Sequence, residues 1–144
     1  MNVESILRTK GRAVATIRPD ETVGAAVDAL ISRNIGALVV SEDGNSVDGI
    51  ISERDIVHCL AARGADLLAL KVSEVMTARV VTCDPSDSVD QLMAEMTNRR
   101  IRHFPVVQDG RLCGIVSIGD VVKYRLEDLE LETNLLRDVY NAGR

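Results

Sequence analysis

Apolar residues in this chain alternate between helical spacing and short continuous runs, a pattern that predicts a mixed α/β fold. Apolar residues that recur every three or four positions predict a helix after Thr22, a second helix from Val89 and a third over about residues 119–141. Ser88 with Gln91 fits a capping box for the second of these helices. Short β-prone runs predict strands at about residues 14–17, 37–40, 47–51, 80–83, 103–107 and 112–117, and a further helix at about 55–63.

The predicted elements occur twice in the same order. Residues 49–57 read GIISERDIV and residues 114–122 read GIVSIGDVV, while Thr16 recurs 66 positions later as Thr82. Two tandem β-α-β-β-α repeats are therefore predicted, at about residues 14–63 and 80–125. An N-terminal segment (1–13) precedes them, and a linker with the entry to the second repeat (64–79) joins them. Because one repeat cannot cover its own helices, we expect the two to pack around a pseudo-two-fold axis as one α/β (α+β) module.

The long C-terminal helix carries a second apolar pattern. Its apolar residues alternate by four and three positions, as in a heptad seam. The seam consists of Val122, Leu126, Leu129, Thr133, Leu136 and Tyr140. Two interpretations stay open: the helix folds back along its own module, or it contacts a second subunit.

Composition narrows the class of protein. The chain has 144 residues, 46% of them hydrophobic, and a net charge of −5, which argues against binding to a nucleic-acid backbone. No apolar run approaches the roughly 20 residues that span a bilayer, and the first residues do not resemble a secretory leader. The three cysteines are far apart, so we expect reduced thiols and a cytoplasmic protein.

The repeated Ser-x-x-Asp at each strand-to-helix junction is the main candidate for chemistry. Ser52 and Asp55 form the first of these corners, and Ser117 and Asp120 form the second. A carboxylate can accept both ribose hydroxyls, while a hydroxyl and the free N–H groups of a helix start suit phosphate oxygens. The same residues are also typical of a helix cap with an acidic third residue. The two roles are compatible.

Catalysis has little support in the sequence. The adjacent pair His58 and Cys59 could suggest a metal site or a thiolate nucleophile, but neighbouring residues of a helix point in different directions. No nucleophile lies beside a candidate base, and no metal-ligand cluster is visible. We therefore expect that the protein is not an enzyme.

Several motifs taken in order resemble a tandem pair of cystathionine-β-synthase (CBS) domains, the arrangement called a Bateman module. They are VMT at 75–77, VVT at 80–82, RHFPVV at 102–107, DG at 109–110 and GIVS at 114–117 with Asp120. Small stand-alone bacterial CBS-pair proteins also share the KGR start at 10–12 and the SERD corner at 52–55. The resemblance implies a binding module for adenosine ligands: AMP, ADP, ATP, NAD(H) or S-adenosylmethionine.

The resemblance also implies two clefts, each drawing on both repeats. The expected residues of the first cleft are Ser52, Arg54, Asp55, Thr82, Cys83, Arg102, His103, Phe104 and Pro105. Those of the second are Thr16, Ile17, Ile35, Gly36, Ala37, Ser117 and Asp120, with Lys10 and Arg12 as possible helpers. The first is richer in cationic side chains, so we expect unequal sites, one for a mononucleotide such as AMP and one for a larger or more charged ligand.

The favoured function is a regulatory adenine-nucleotide sensor that changes conformation or assembly when ligand bridges the repeats. A flat homodimer and a separate effector protein are implied partners, whereas nucleic acid and membrane are not. The alternative is a structural or partner-binding module whose corners hold no nucleotide.

Overall fold

The computed structural model describes residues 1–143 and confirms the predicted mixed fold. Its strands form two small sheets. The first part comprises helix α1 (Val3–Lys10), strand β1 (Thr16–Ile17), helix α2 (Val23–Arg33), strands β2 (Ala37–Val40) and β3 (Gly49–Ser52), and helix α3 (Glu53–Arg63). A 3₁₀ helix (Gly64–Ala69) leads to helix α4 (Val72–Val75). The second part comprises helix α5 (Val89–Arg99), strands β4 (His103–Gln108) and β5 (Arg111–Ser117), and helix α6 (Ile118–Ala142).

The two sheets differ in their number of strands. In the first repeat β1 pairs parallel with β2, and β2 pairs antiparallel with β3. In the second repeat β4 and β5 form an antiparallel pair, and the predicted strand at 80–83 is wrong: only Cys83 makes an isolated bridge, to Val106. Nothing in the structure explains why this segment pairs less than Thr16–Ile17, since Pro19 and Pro85 follow at the same spacing in the two repeats.

Each repeat has its own core under its sheet. Leu30 and Ile51 belong to the first core, whereas Leu92 and Phe104 belong to the second. The helix predicted from Val89 buries one apolar face in α5, at Val89, Leu92 and Met96. In α2, Val23, Ala26 and Leu30 are buried, whereas Ile31 lies on the outer side of the helix and is 74% exposed.

The leading helices of the two repeats are exchanged, which the sequence analysis missed. Helix α1 packs on the second repeat, where the Val3 N–H donates to the Asp87 carbonyl at 2.9 Å. Helix α4 packs on the first repeat in the equivalent way, because the Val72 N–H donates to the Glu21 carbonyl at 2.8 Å. The repeat pattern begins only at residue 14 and so gives no sign of this exchange.

Helix α6 leaves the module after its first turns. Val121 is buried in the second core and Tyr124 packs against it, but every described residue from 129 onward is exposed. The interpretation in which the last helix folds back along its own module is therefore wrong for this part of the chain. A contact with a second subunit stays a prediction.

Candidate functional site

The Ser-x-x-Asp corners are complete capping boxes. Ser52 precedes α3 and Ser117 precedes α6, and each accepts a hydrogen bond from the backbone N–H of the Asp three residues later. In return, the Asp carboxylate accepts from the Ser N–H, at 2.9 Å for Asp55 and 2.8 Å for Asp120. Both corners therefore stabilise a helix start whether or not a ligand is present.

The second corner keeps part of its carboxylate available. Oδ2 of Asp120 accepts from the Ser117 hydroxyl at 2.9 Å and from Nζ of Lys10 at 2.5 Å. No donor among residues 1–143 hydrogen-bonds to Oδ1. Burial is the largest influence on the pKa of Asp120 and raises it, but the bonds from Lys10 and Ser117 together outweigh burial and leave the pKa below its ordinary value. The carboxylate is therefore ionised and ready to accept further hydrogen bonds.

The first corner is closed by the chain itself. Oδ2 of Asp55 accepts from the Ser52 hydroxyl at 2.9 Å, and Oδ1 accepts from the Thr77 hydroxyl at 3.0 Å. Backbone bonds between Thr77 and Ile50 hold this residue in place, at 2.9 and 3.0 Å. A ligand at this corner would share Oδ1 with the Thr77 hydroxyl or displace it.

A cavity of about 640 Å³ lies between the two repeats at the second corner. Both repeats and the end of α1 line it. The lining residues are Lys10, Ala13, Val14, Ala15, Arg33, Asn34, Ile35, Gly36, Ala37, His103, Ile115 and Ser117. The volume lies within the range of small-molecule sites, roughly 300–1,000 Å³.

His103 lies in this cavity rather than beside Ser52, where the sequence analysis assigned it. In the β4–β5 ladder His103 stands directly opposite Ser117, and opposed residues of an antiparallel pair point to the same face. Gly36 of the first repeat approaches the ring closely, since a Cβ at that position would lie 3.6 Å from Nε2. Burial, followed by the charges of Lys10 and Arg102, lowers the pKa of His103. The imidazole is therefore neutral at physiological pH.

The cavity carries cationic side chains at two points. Nζ of Lys10 donates to the Ile115 carbonyl at 2.8 Å as well as to Asp120. Arg33, at the end of α2, also lines the cavity, and no described residue forms an ion pair with its guanidinium. An anionic group in the cavity would find Arg33 unengaged.

The other expected site residues lie outside this cavity. Thr82, Cys83 and Phe104 line a separate depression of about 440 Å³ on the second repeat, away from Ser52 and Asp55. Ile17 is 5% exposed and belongs to the first core. Thr16, Arg54 and Arg102 are exposed, and Pro105 is buried. Asp120 does not line the cavity itself, although it is bonded to Lys10, which does. Arg12 forms an ion pair with Glu4 of α1. Whether these residues contact a ligand stays a prediction.

The cavity also includes residues that the sequence analysis did not name. Residues 13–15 line it just before β1, and Ile115 lines it on β5. Arg33 and Asn34 enter it because Asn34 takes a left-handed conformation, with φ of 52°, that ends α2. An Asn between a helical pattern and Gly36 signals a helix end, but it does not indicate which cleft the turn faces.

The thiols show no sign of activation. Burial, followed by the charge of Asp87, raises the pKa of Cys83 to about 12, and burial also raises the pKa of Cys113. Within residues 1–143 no group of three His, Cys, Asp or Glu side chains could hold a metal ion. Across the same residues none of the helices combines the length and apolar character of a membrane span.

Comparisons with known proteins match both repeats. A profile of the CBS domain matches residues 3–62 and 72–127. The mitochondrial CBS domain-containing protein CBSX3 of Arabidopsis thaliana is 36% identical over 149 residues, an alignment that covers 98% of this chain and 72% of that protein. The crystal structure of the CBS-domain containing protein ATU1752 from Agrobacterium tumefaciens superposes with a TM-score of 0.84 and 47% identity, over 87% of this chain and 99% of that one.

A further solved structure contains ligands. It is the CBS domain pair of protein MJ0100 in complex with 5′-methylthioadenosine and S-adenosyl-L-methionine. It superposes with a TM-score of 0.78 and 27% identity, covering 89% of this chain and 98% of that one. Adenosine-type ligands therefore bind to a pair with this fold.

Proposed function

The chain belongs to the CBS-domain family, and from that premise we propose that it is a regulatory module that binds an adenosine ligand in the cavity at Ser117 and Asp120. The observation that carries the proposal is the cavity itself, in which both repeats meet at Ser117 and the start of α6. The ionised Asp120 carboxylate lies beside this lining, bonded to Lys10 and Ser117. The adenosine ligands of a related pair support the ligand class. AMP, ADP, ATP, NAD(H) and S-adenosylmethionine are the candidates.

The proposed binding mode follows from the groups that line the cavity and from Asp120 beside it. The open Oδ1 of Asp120 accepts the ribose hydroxyls, while Lys10 keeps its bond to Oδ2. Ile35, Ile115 and the backbone of residues 13–15 provide apolar contact for the base. The unengaged guanidinium of Arg33 contacts a phosphate, which favours AMP or a larger phosphorylated ligand over an uncharged nucleoside.

The proposed regulatory mechanism is a shift between arrangements of the two repeats. A ligand in the cavity contacts both repeats, so it stabilises the arrangement in which those contacts are made. Helix α6 begins at the same corner and can transmit the change. We propose that the protein acts as a homodimer and passes its signal to a separate effector protein.

Thermal unfolding with AMP, ATP, NAD⁺, NADH, S-adenosylmethionine and 5′-methylthioadenosine at millimolar concentration tests ligand binding. At a hundredfold excess over Kd, a ligand that binds only the folded state stabilises it by about 2.7 kcal/mol, which raises the midpoint by several degrees. Asp120→Ala and Asp55→Ala are matched variants, because each removes one capping box. The proposal expects the ligand-induced shift to disappear in Asp120→Ala and to persist in Asp55→Ala.

A second comparison tests the phosphate contact. Arg33→Met should lower the affinity for AMP by about tenfold, the loss expected for one charge-assisted contact. Its affinity for 5′-methylthioadenosine, which has no phosphate, should not change. Equal losses for both ligands would refute the role of Arg33.

The alternative function is a structural or partner-binding module without a nucleotide, and the completeness of both capping boxes favours it. If no ligand raises the midpoint, once mass spectrometry has excluded a co-purified nucleotide, this alternative replaces the proposed sensor.

A further inference from the structure

The seam of α6 stays exposed along its length. Val122 is 47% exposed, Leu126 56%, Leu129 42% and Leu136 71%. At its beginning the seam borders a shallow groove that Ile118 also lines. Since the module does not cover these side chains, their burial requires an occupant from outside the chain.

The charges beside the seam identify that occupant. In heptad notation Leu129 and Leu136 take position d, while Arg125 and Glu132 take position g. When two such helices lie parallel and in register, position g of one helix faces position e of the other, five residues further along. Arg125 then faces Glu130 of the second copy, so the charges attract.

The next heptad repeats this agreement. Glu132 faces Arg137 of the second copy, so this pair also joins opposite charges. By symmetry each pair occurs twice. Leu occupies two of the three d positions, with Val122 at the other, and Leu at d is typical of parallel two-stranded coiled coils. Thr133 supplies a β-branched residue at the a position between the two leucines.

A fully overlapped antiparallel arrangement fails the same test. There, position e faces position e and position g faces position g. Glu130 would then face Glu130 of the second copy, and Glu132 would face Glu132 of the second copy, so both are pairs of like charges. Lys123 would face Arg137 of the second copy, which is again a pair of like charges. The charge pattern therefore selects one orientation.

We infer that α6 pairs with α6 of a second copy as a parallel, in-register two-stranded coiled coil. The inference rests on the proposed homodimer and adds the surface, orientation and charge pairs that hold it. It is independent of what the cavity binds.

Charge exchange in the full-length protein tests the inference, with the dimer dissociation constant measured by sedimentation at low salt. Arg125→Glu and Glu130→Arg each convert two attractive pairs into two repulsive ones, so each should weaken the dimer by about tenfold. The double variant exchanges the charges and should restore the wild-type constant. Asp138→Arg is the control, because it makes the same change in charge as Glu130→Arg on the outer side of the coil.

The double variant also distinguishes the orientations. In a shorter antiparallel overlap, Arg125 faces Glu132 and Lys123 faces Glu130, so the two changes would damage separate pairs and would add instead of cancelling. An independent check is Leu136→Cys, which should form a disulfide between copies on oxidation. Leu131→Cys, on the outer side of α6, should not form one.

The outcomes distinguish failure of the coiled coil from failure of the proposed homodimer. A dimer dissociation constant that none of the α6 charge variants changes would overturn the coiled coil but not the homodimer. A protein that sediments as a monomer at every concentration would overturn both. Losses that add in the double variant would overturn the parallel orientation.

Discussion

The exchange of leading helices predicts that Leu7 and Gly114 are energetically coupled. Leu7 of α1 is 1% exposed and packs against β5 at Gly114. A Cβ on Gly114 would lie only 2.6 Å from one terminal methyl of Leu7 and 3.1 Å from the other. A side chain added at position 114 would therefore compete with Leu7 for the same space.

The magnitudes follow from burial and from this clash. Leu7→Ala removes a buried side chain and should lower the free energy of unfolding by about 2–5 kcal/mol. Gly114→Ala should cost about 1–2 kcal/mol, toward the lower end for overpacking, because the obstructing atoms belong to a flexible side chain. In the double variant the new methyl group fills part of the space that Leu7 leaves. Its total cost should be smaller than the sum by about 1 kcal/mol.

Urea unfolding at fixed protein concentration measures all four corners of this cycle. Far-UV circular dichroism is the suitable probe, because the chain has no Trp. Gly119→Ala is a matched glycine control on α6, where a Cβ would have only the Ser117 hydroxyl nearby, at 3.6 Å. Because Gly119 lies in the first turn of α6, it should stabilise the helix by less than the about 0.5–1 kcal/mol of a mid-helix glycine, and it should add independently to Leu7→Ala. Additive costs for Leu7→Ala and Gly114→Ala would refute the packing of α1 on the second repeat.

Three other predictions concern single positions. Gly49→Ala should destabilise the fold more than the equivalent change in the second repeat, because its Cβ would lie 2.9 Å from the backbone oxygen of Thr77, which cannot move aside; equal urea midpoints would contradict this. Burial, reinforced by nearby cationic groups, lowers the pKa of His103. The unfolded chain therefore binds more protons, so the free energy of unfolding should fall as pH drops below about 6.5. His103→Gln should weaken that dependence in urea titrations between pH 7.5 and 5.5, and an unchanged slope would refute the argument. Cys83, with a pKa raised to about 12, should resist iodoacetamide at pH 8 in the folded protein, while the half-buried Cys59 reacts first by mass spectrometry; the opposite order would be inconsistent with the structure.

Local sequence signals predicted the elements whose partners lie within one repeat. The strands around Asp109-Gly110 follow from a two-residue turn, and both helix starts at Ser52 and Ser117 follow from capping chemistry. These features depend on residues close in sequence. The repeat itself indicated the pseudo-symmetric packing.

Features that depend on contacts between distant segments were not predictable in the same way. Helix α1 has its apolar partners on β5 and α6, so its own sequence did not reveal where it packs. The position of His103 depends on the register between β4 and β5, and it became clear only with the pairing to Ser117. Asp55 and Asp120 occupy equivalent places in the repeat, yet Asp55 accepts a hydrogen bond from Thr77 and Asp120 accepts one from Lys10.

The position of α1 has a consequence for how the protein is made. A ribosome makes Val3, Ile6 and Leu7 about 110 residues before the part of their partner surface that includes Val116 and Val121. At about 5–20 residues per second, the apolar side of α1 stays uncovered for on the order of ten seconds. The first repeat meets α4 much sooner. The nascent chain is therefore expected to expose α1 to chaperones until β5 and α6 emerge.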